Sequence, residues 1–353
     1  MIKIALEDKL ALQKSIVAAE EQGHLTKEQL TVIYKYNLFN LFVPKEYGGL
    51  ALDFIDALEL QEEIACIDGS LGWTVALCSG ANMFVGYLDQ GLSKQLFADS
   101  QVCFGGSGKV GGVAIEIEDG YIVSGHWKVA TGLHHCTVFT ANCKIERDGK
   151  FVEDAEGNPI YQSFCFLPDE VEVVKEWNTM GLIATGSDSF TVNRLKVSRN
   201  RAFSITKEDK VIDNALFSFP FLPFAKFTLA VNHLGIQAHF IALAEHYFNS
   251  LSSKTHAIKH QSLLGQMKAS FLNRKIKFYQ KAQECWQVVK DDEVFTDGLL
   301  AAVDKVCEQV VFEGRKDIVE CMPYLGLTVI NKDADINRVF RDLMTAGQHS
   351  LFL

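Results

Sequence analysis

The hydrophobic period of this chain changes twice, and that restricts its fold more than any other feature. Up to about residue 98 apolar side chains recur at helical spacing. From about 101 to 203 they alternate with polar ones between clustered glycines, and from Phe221 onward the helical spacing returns. Helices, then strands, then helices describe an α+β chain whose elements are segregated rather than interleaved. At 353 residues the chain exceeds what one core ordinarily serves. The expected division is an N-terminal α-helical domain over 1–100, a central antiparallel β domain over 101–208 and a C-terminal four-helix bundle over 209–353.

Local punctuation agrees with that division. Thr26 and Gln29 form a capping-box pattern ahead of Leu30, Val32 and Ile33. The segment Val43-Pro44-Lys45-Glu46-Tyr47-Gly48-Gly49 is a breaker. Asp53 is expected to cap the next helix and Gly69 to close it, with a further helix from about Leu71 to Tyr87. In the middle, Asp119-Gly120 separates the alternating runs Val113–Ile117 and Tyr121–Val129, a hairpin signal. Phe139–Ile145, Tyr161–Leu167, Val171–Val174 and Phe190–Val197 continue the strand pattern. The stretches 222–250, 256–290, 296–320 and 333–349 are each expected to be one helix of the bundle, with Lys254, Lys259 and Lys268 on a solvated face.

A net charge of −10 argues against nucleic acid and against anionic membrane surfaces as partners. The longest apolar stretch, Phe217 to Gly235, is interrupted by Pro220, Pro223, Lys226, Asn232 and His233, so no membrane span is expected. Glu7, Asp8 and Lys9 near the start are unlike a secretory signal. The nine cysteines are an odd number without a C-x-x-C, which suggests reduced thiols in the cytoplasm. His134 and His135 lack cysteine or carboxylate partners at ligand spacing, so no metal site is expected.

Four motifs then carry a resemblance. Val43-Pro44-Lys45-Glu46-Tyr47-Gly48-Gly49-Leu50, the run Gly120 to Gly132, Thr179-Met180-Gly181-Leu182-Ile183-Ala184-Thr185-Gly186-Ser187-Asp188, and Arg338-Val339-Phe340-Arg341-Asp342 resemble, in order, segments of the acyl-CoA dehydrogenase superfamily. The wording G-x-W-x-x-A-T-G, followed by T-x-x-Q-H near the C-terminus, is similar to its two-component flavin-dependent monooxygenases of the p-hydroxyphenylacetate and dibenzothiophene type. That resemblance implies an acyl-CoA dehydrogenase-like fold and a flavin, FAD or FMN, supplied reduced by a separate flavin reductase. It also implies a small aromatic or heterocyclic substrate and a homotetramer.

A dehydrogenase of this fold needs a carboxylate base, and the two family positions for it fall on Ser350 and Ala225. His349 stands beside the first of them, where an imidazole of the monooxygenase branch faces the flavin. His349 and Thr131 are therefore the candidate catalytic residues. Ser107, Trp127, Thr131, Gly132, Thr185, Ser187 and Lys226 are the candidate cofactor-binding residues. Plainer alternatives stand beside them: a helix cap for His349, a core position for Trp127, turn capping for Thr185 and Ser187, and a snorkelling cation for Lys226. Two further readings of the whole chain are an acyl-CoA dehydrogenase with a displaced base, such as Glu46 or Glu59, and a degenerate non-catalytic paralogue.

Overall fold

The computed structural model describes residues 2–251 and 257–352, so Lys254 lies outside the described residues. Among them, six α-helices precede the sheet: α1 (Leu6–Lys14), α2 (Ile16–Gln22), α3 (Lys27–Lys35), α4 (Phe54–Ile67), α5 (Gly69–Asn82) and α6 (Gln90–Leu96). Thr26 and Gln29 close the capping box on α3, and the Asp53 side chain accepts the Ile55 N–H at the start of α4. Gly69 does not close α4. The extended residue Asp68 does, and its carboxylate then accepts the Leu71 N–H at 2.8 Å to cap α5. Gly69 is instead the first residue of α5, where a Cβ would stand 2.9 Å from that of Asp342.

Eight strands follow: β1 (Phe104–Ile117), β2 (Gly120–Trp127), β3 (Val138–Arg147), β4 (Lys150–Phe151), β5 (Tyr161–Phe166), β6 (Glu172–Val174), β7 (Ser189–Ser198) and β8 (Ala202–Phe203). They form one sheet in the order β6-β7-β2-β1-β3-β5-β8, with β4 on β3. The β1–β2 hairpin turns at Glu118-Asp119, with Ile117 opposite Gly120. The sheet is mixed rather than antiparallel, because β1 and β3 run parallel from Phe104 opposite Val138. After β2 returns to the start of β1, residues 128–137 step across that end and begin β3 on the far side. Alternation of apolar residues is the same for either strand direction, so the sequence pattern carried no sign of this crossover.

The C-terminal part holds α7 (Phe221–Ser250), α8 (Ala257–Lys290), α9 (Asp297–Cys321) and α10 (Asp335–Ala346). The interruptions expected in its first apolar stretch do not break it: α7 is a continuous helix of 30 residues, with Pro223 in the first turn, where proline is tolerated. It is long and apolar enough to cross a membrane, yet 78% of its apolar window is buried inside the protein. It is the axial core helix, packed on α4, α5, α8, α9 and α10. On the bundle surface Lys268 pairs with Glu245 and Lys259 lies over the Tyr324 ring.

Two of the sequence motifs prove to be one joint. Asp342 of α10 accepts the Leu182 N–H at 2.6 Å, and the Arg341 guanidinium donates to the Met180 carbonyl at 2.6 Å while pairing with Glu20. Gly181 lies between them, where a Cβ would meet the Arg341 carbonyl oxygen at 2.1 Å. The last helix is thereby fixed to the segment that carries Thr185 and Ser187.

Candidate functional site

The 128–137 crossover contains a strained residue. Val129 has φ +58° and is 50% exposed, an unfavourable backbone conformation for a β-branched side chain and a costly place to expose one. Gly132, at φ +81°, completes the turn. The turn is held against residues 185–188: the Ala130 N–H donates to the Asp188 carbonyl and the Gly132 N–H to the Thr185 carbonyl.

Three buried hydroxyls form a chain here. Thr131 Oγ1 is 2.9 Å from Ser187 Oγ, which is 2.8 Å from Thr185 Oγ1, which donates to the Leu182 carbonyl at 2.7 Å. A hydroxyl has one proton. The Thr185 proton is committed to the carbonyl, so Ser187 must donate to Thr185 and Thr131 to Ser187. Thr131 is left with unused lone pairs and presents an acceptor. Ser107, at the edge of this group, donates to the Lys128 carbonyl at 2.9 Å. Beside it runs a groove of about 370 Å³ lined by Lys128, Val129, Glu176, Trp177, Ser187 and Ser189.

Asp188 organises the rim. Its Oδ1 accepts the Glu176 and Trp177 N–H groups, both at 2.8 Å, and its Oδ2 meets His134 Nε2 at 2.9 Å. Burial pulls the Asp188 carboxyl upward, but the Trp177 N–H, His134 and the Glu176 N–H outweigh it and hold it below the usual range.

His349 follows α10. Its ring lies beside Trp73 of α5, centroids 5.8 Å apart, and Phe352, 6.4 Å. The Leu351 N–H donates to its Nδ1 at 3.3 Å, which assigns the ring proton to Nε2. Burial, with help from the Lys109 cation of β1, lowers it to about 4, so it is neutral at pH 7. Nearby His233 on α7 is fully buried, and burial lowers it to about 4 as well, against the opposing pull of the Ala346 backbone.

Of the residues singled out in the sequence, Thr131, Gly132, Thr185 and Ser187 are thus assembled, with Ser107 at their edge. His349 packs against Trp73 and Phe352, within electrostatic reach of Lys109 of β1. The Gly132 N–H is already taken by Thr185, so a ligand cannot use it. Two candidates belong elsewhere. Trp127 is fully buried within the sheet, stacked 5.1 Å from Phe190 and donating to the Asn142 carbonyl, over glycines 111, 112 and 125 that leave room for its ring. Lys226 lies in the bundle and is paired with Asp304 at 2.5 Å. His134 and His135 are also not without partners: His134 has Asp188, and His135 faces the thiols of Cys78 and Cys103. Both partner sets come from distant segments, which ligand spacing in the sequence cannot reveal. Val129, Asp188 and Trp177 were missed as site residues; only the motif ending at Asp188 hinted at one of them.

Residues 7–93 match the family described as acyl-CoA dehydrogenase, N-terminal domain. The XiaF structure from Streptomyces sp., in complex with FADH2 and glycerol, superposes with a TM-score of 0.89 at 20% identity, covering 98% of this chain and 89% of that one. This chain has the acyl-CoA dehydrogenase-like fold. Among curated proteins, the oxygenase subunit HsaA of a Mycobacterium tuberculosis flavin-dependent monooxygenase is 26% identical over 188 residues, 53% of this chain and 46% of that protein. The matched stretch therefore spans about half of that relative. Indole-3-acetate monooxygenase from Acinetobacter baumannii is 23% identical over 343 residues, 94% of this chain and 85% of the relative.

Proposed function

We propose that this chain is the oxygenase component of a two-component flavin-dependent monooxygenase acting on a small aromatic or heterocyclic compound. The observation that carries the reading is His349: a neutral, largely buried imidazole packed beside Trp73 of α5, next to a position where a dehydrogenase would need a carboxylate. The alternative bases Glu46 and Glu59 are both solvent-exposed, which counts against the dehydrogenase reading. The names of the relatives support oxygenase chemistry on aromatic compounds.

The residues at the crossover suit a flat ring with a polar edge. Val129 and Trp177 offer apolar faces in the groove, and the Thr131 oxygen is an acceptor for a ring N–H. Reduced flavin, when bound, supplies the two electrons that let one atom of dioxygen enter the substrate while the other leaves as water. Thr131, oriented by Ser187 and Thr185, accepts a hydrogen bond from the cofactor edge. His349 Nε2–H donates a hydrogen bond toward the reacting region, with the tautomer held by the Leu351 N–H on Nδ1. Trp73 and Phe352 exclude water around it.

A separate reductase supplies the reduced flavin, and the chain works in the cytoplasm; its described cysteines are all free thiols. Assembly as a homotetramer is supported by apolar side chains exposed on α8 and α9, among them Leu272, Ile276, Phe312 and Val319. A monomer in light scattering at micromolar concentration would refute that assembly. The deciding experiment for function is titration with oxidised and reduced FMN and FAD, followed by single turnover with isotopically labelled dioxygen and a panel of phenols and indoles. Label in one aromatic product supports the reading; robust electron-acceptor reduction by an acyl-CoA overturns it.

A further inference from the structure

Behind the Thr131–Gly132 turn lies a group of side chains that the proposed chemistry does not use. Cys78 of α5 and Cys103, the residue before β1, are fully buried, and Cys136 is nearly so. The Sγ atoms of Cys78 and Cys103 and a ring nitrogen of His135 all lie within 4.8 Å of one another. The Cys136 thiol interacts with both other thiols. His135 Nε2 is sealed from solvent and faces the Cys78 thiol, and its ring is stacked on Phe39 at 5.3 Å and 5°, which fixes its plane.

Two glycines make the space. A methyl group on Gly132 would lie 2.9 Å from Cys78 Sγ and 3.1 Å from His135 Nε2, so these two atoms border the same point. One on Gly105 would lie 2.2 Å from Cys136 Sγ. Cys78, Cys103 and His135 thus converge from three separate parts of the chain, with the Cys136 thiol beside them.

We propose that Cys78, Cys103, Cys136 and His135 form a structural site for a thiophilic d10 cation, Zn2+ in the first instance. Three sulfurs and one imidazole nitrogen are a four-coordinate zinc set. With Zn–S bonds of about 2.3 Å, tetrahedral S···S edges are about 3.8 Å, so inward movement of roughly 1 Å draws Cys78, Cys103 and His135 around the ion, and the Cys136 thiol, outside that trio, turns in to close the fourth position. Thiols bonded only to one another gain little, whereas as thiolates on a cation their burial is compensated. Binding releases the thiol protons, and the imidazole contributes a ring-nitrogen lone pair. The ion would tie α5 of the N-terminal domain to the entrance of β1 and to the 132–136 turn. It would thereby hold in place the backbone that presents Thr131.

The test uses the full-length protein, reduced and freed of metal with a chelator, then titrated with Co2+ and with Zn2+. The expected result is one Co2+ per chain, with thiolate-to-cobalt absorption in the near ultraviolet and strong visible bands of tetrahedral geometry, displaced by Zn2+. Cys103→Ala or Cys78→Ser should weaken binding by more than about tenfold, while Cys66→Ser, outside the cluster, should leave it unchanged. If the reduced wild-type protein gives no such bands, or if they persist unchanged in both ligand variants, the site is refuted. The wild-type spectrum decides this even where a variant fails to fold.

Discussion

Asp342 Oδ1 accepts the backbone N–H of Leu182 at 2.6 Å, across 160 residues of sequence. Burial first, and Asp68 beside it second, push the Asp342 carboxyl well above the usual range. Asp342→Asn should keep the acceptor and remove the like-charge contact, leaving stability equal or higher. Asp342→Ala orphans the Leu182 N–H and should cost about 1–3 kcal/mol. Urea denaturation of the two variants distinguishes these outcomes, and equal losses in both would refute this account of the joint.

Gly181 admits no side chain against the Arg341 carbonyl. Gly181→Ala should destabilise by roughly 1–3 kcal/mol through overpacking, with much of the activity lost because residues 182–187 shift with it. A melting temperature within error of wild type would show that the joint yields freely.

His233 and His349 share a pH signature. Their folded-state values of about 4 lie below the ordinary 6.5, so the unfolded chain takes up protons first as pH falls. This contribution to stability is complete above about pH 6.5 and is lost toward pH 4. The raised Asp68 and Asp342 carboxyls act in the opposite direction, so the effect is read as a difference. His233→Leu should lose less stability than wild type between pH 6.5 and 4. Parallel curves for the two proteins in denaturant titrations across that range would contradict it.

His349→Ala should slow oxygenation by about 10²–10⁴-fold while leaving flavin affinity within a few-fold. Stopped-flow single turnover separates the two quantities. A variant with unchanged turnover would return His349 to the role of a packed residue beside Trp73.

Thr131→Val should weaken reduced flavin by roughly tenfold relative to wild type, because its acceptor is gone, and Thr131→Ser should restore it. Oxidised flavin, which carries no N–H at the ring's central nitrogen, should be less affected. Equal loss for both oxidation states would break the proton ordering argued for Thr131, Ser187 and Thr185.

The sequence by itself determined the order of the layers, because hydrophobic period is a local property. It also determined the Thr26–Gln29 box, the Asp53 cap and the turn before Gly120, which each depend on residues a few positions apart. The four motifs carried the fold for the same reason. What only the tertiary structure decided is which distant groups meet. The parallel pairing of β1 with β3 depends on a crossover that alternation cannot encode. The partner of Lys226 is Asp304 on another helix, and the break between α4 and α5 is made by Asp68 because Gly69 must stay bare for Asp342. Thr131 as an acceptor follows from a proton count along hydroxyls in two segments, and the thiols around His135 come from helix, strand entrance and turn. Such contacts are set by packing of the whole chain, and no spacing along it records them.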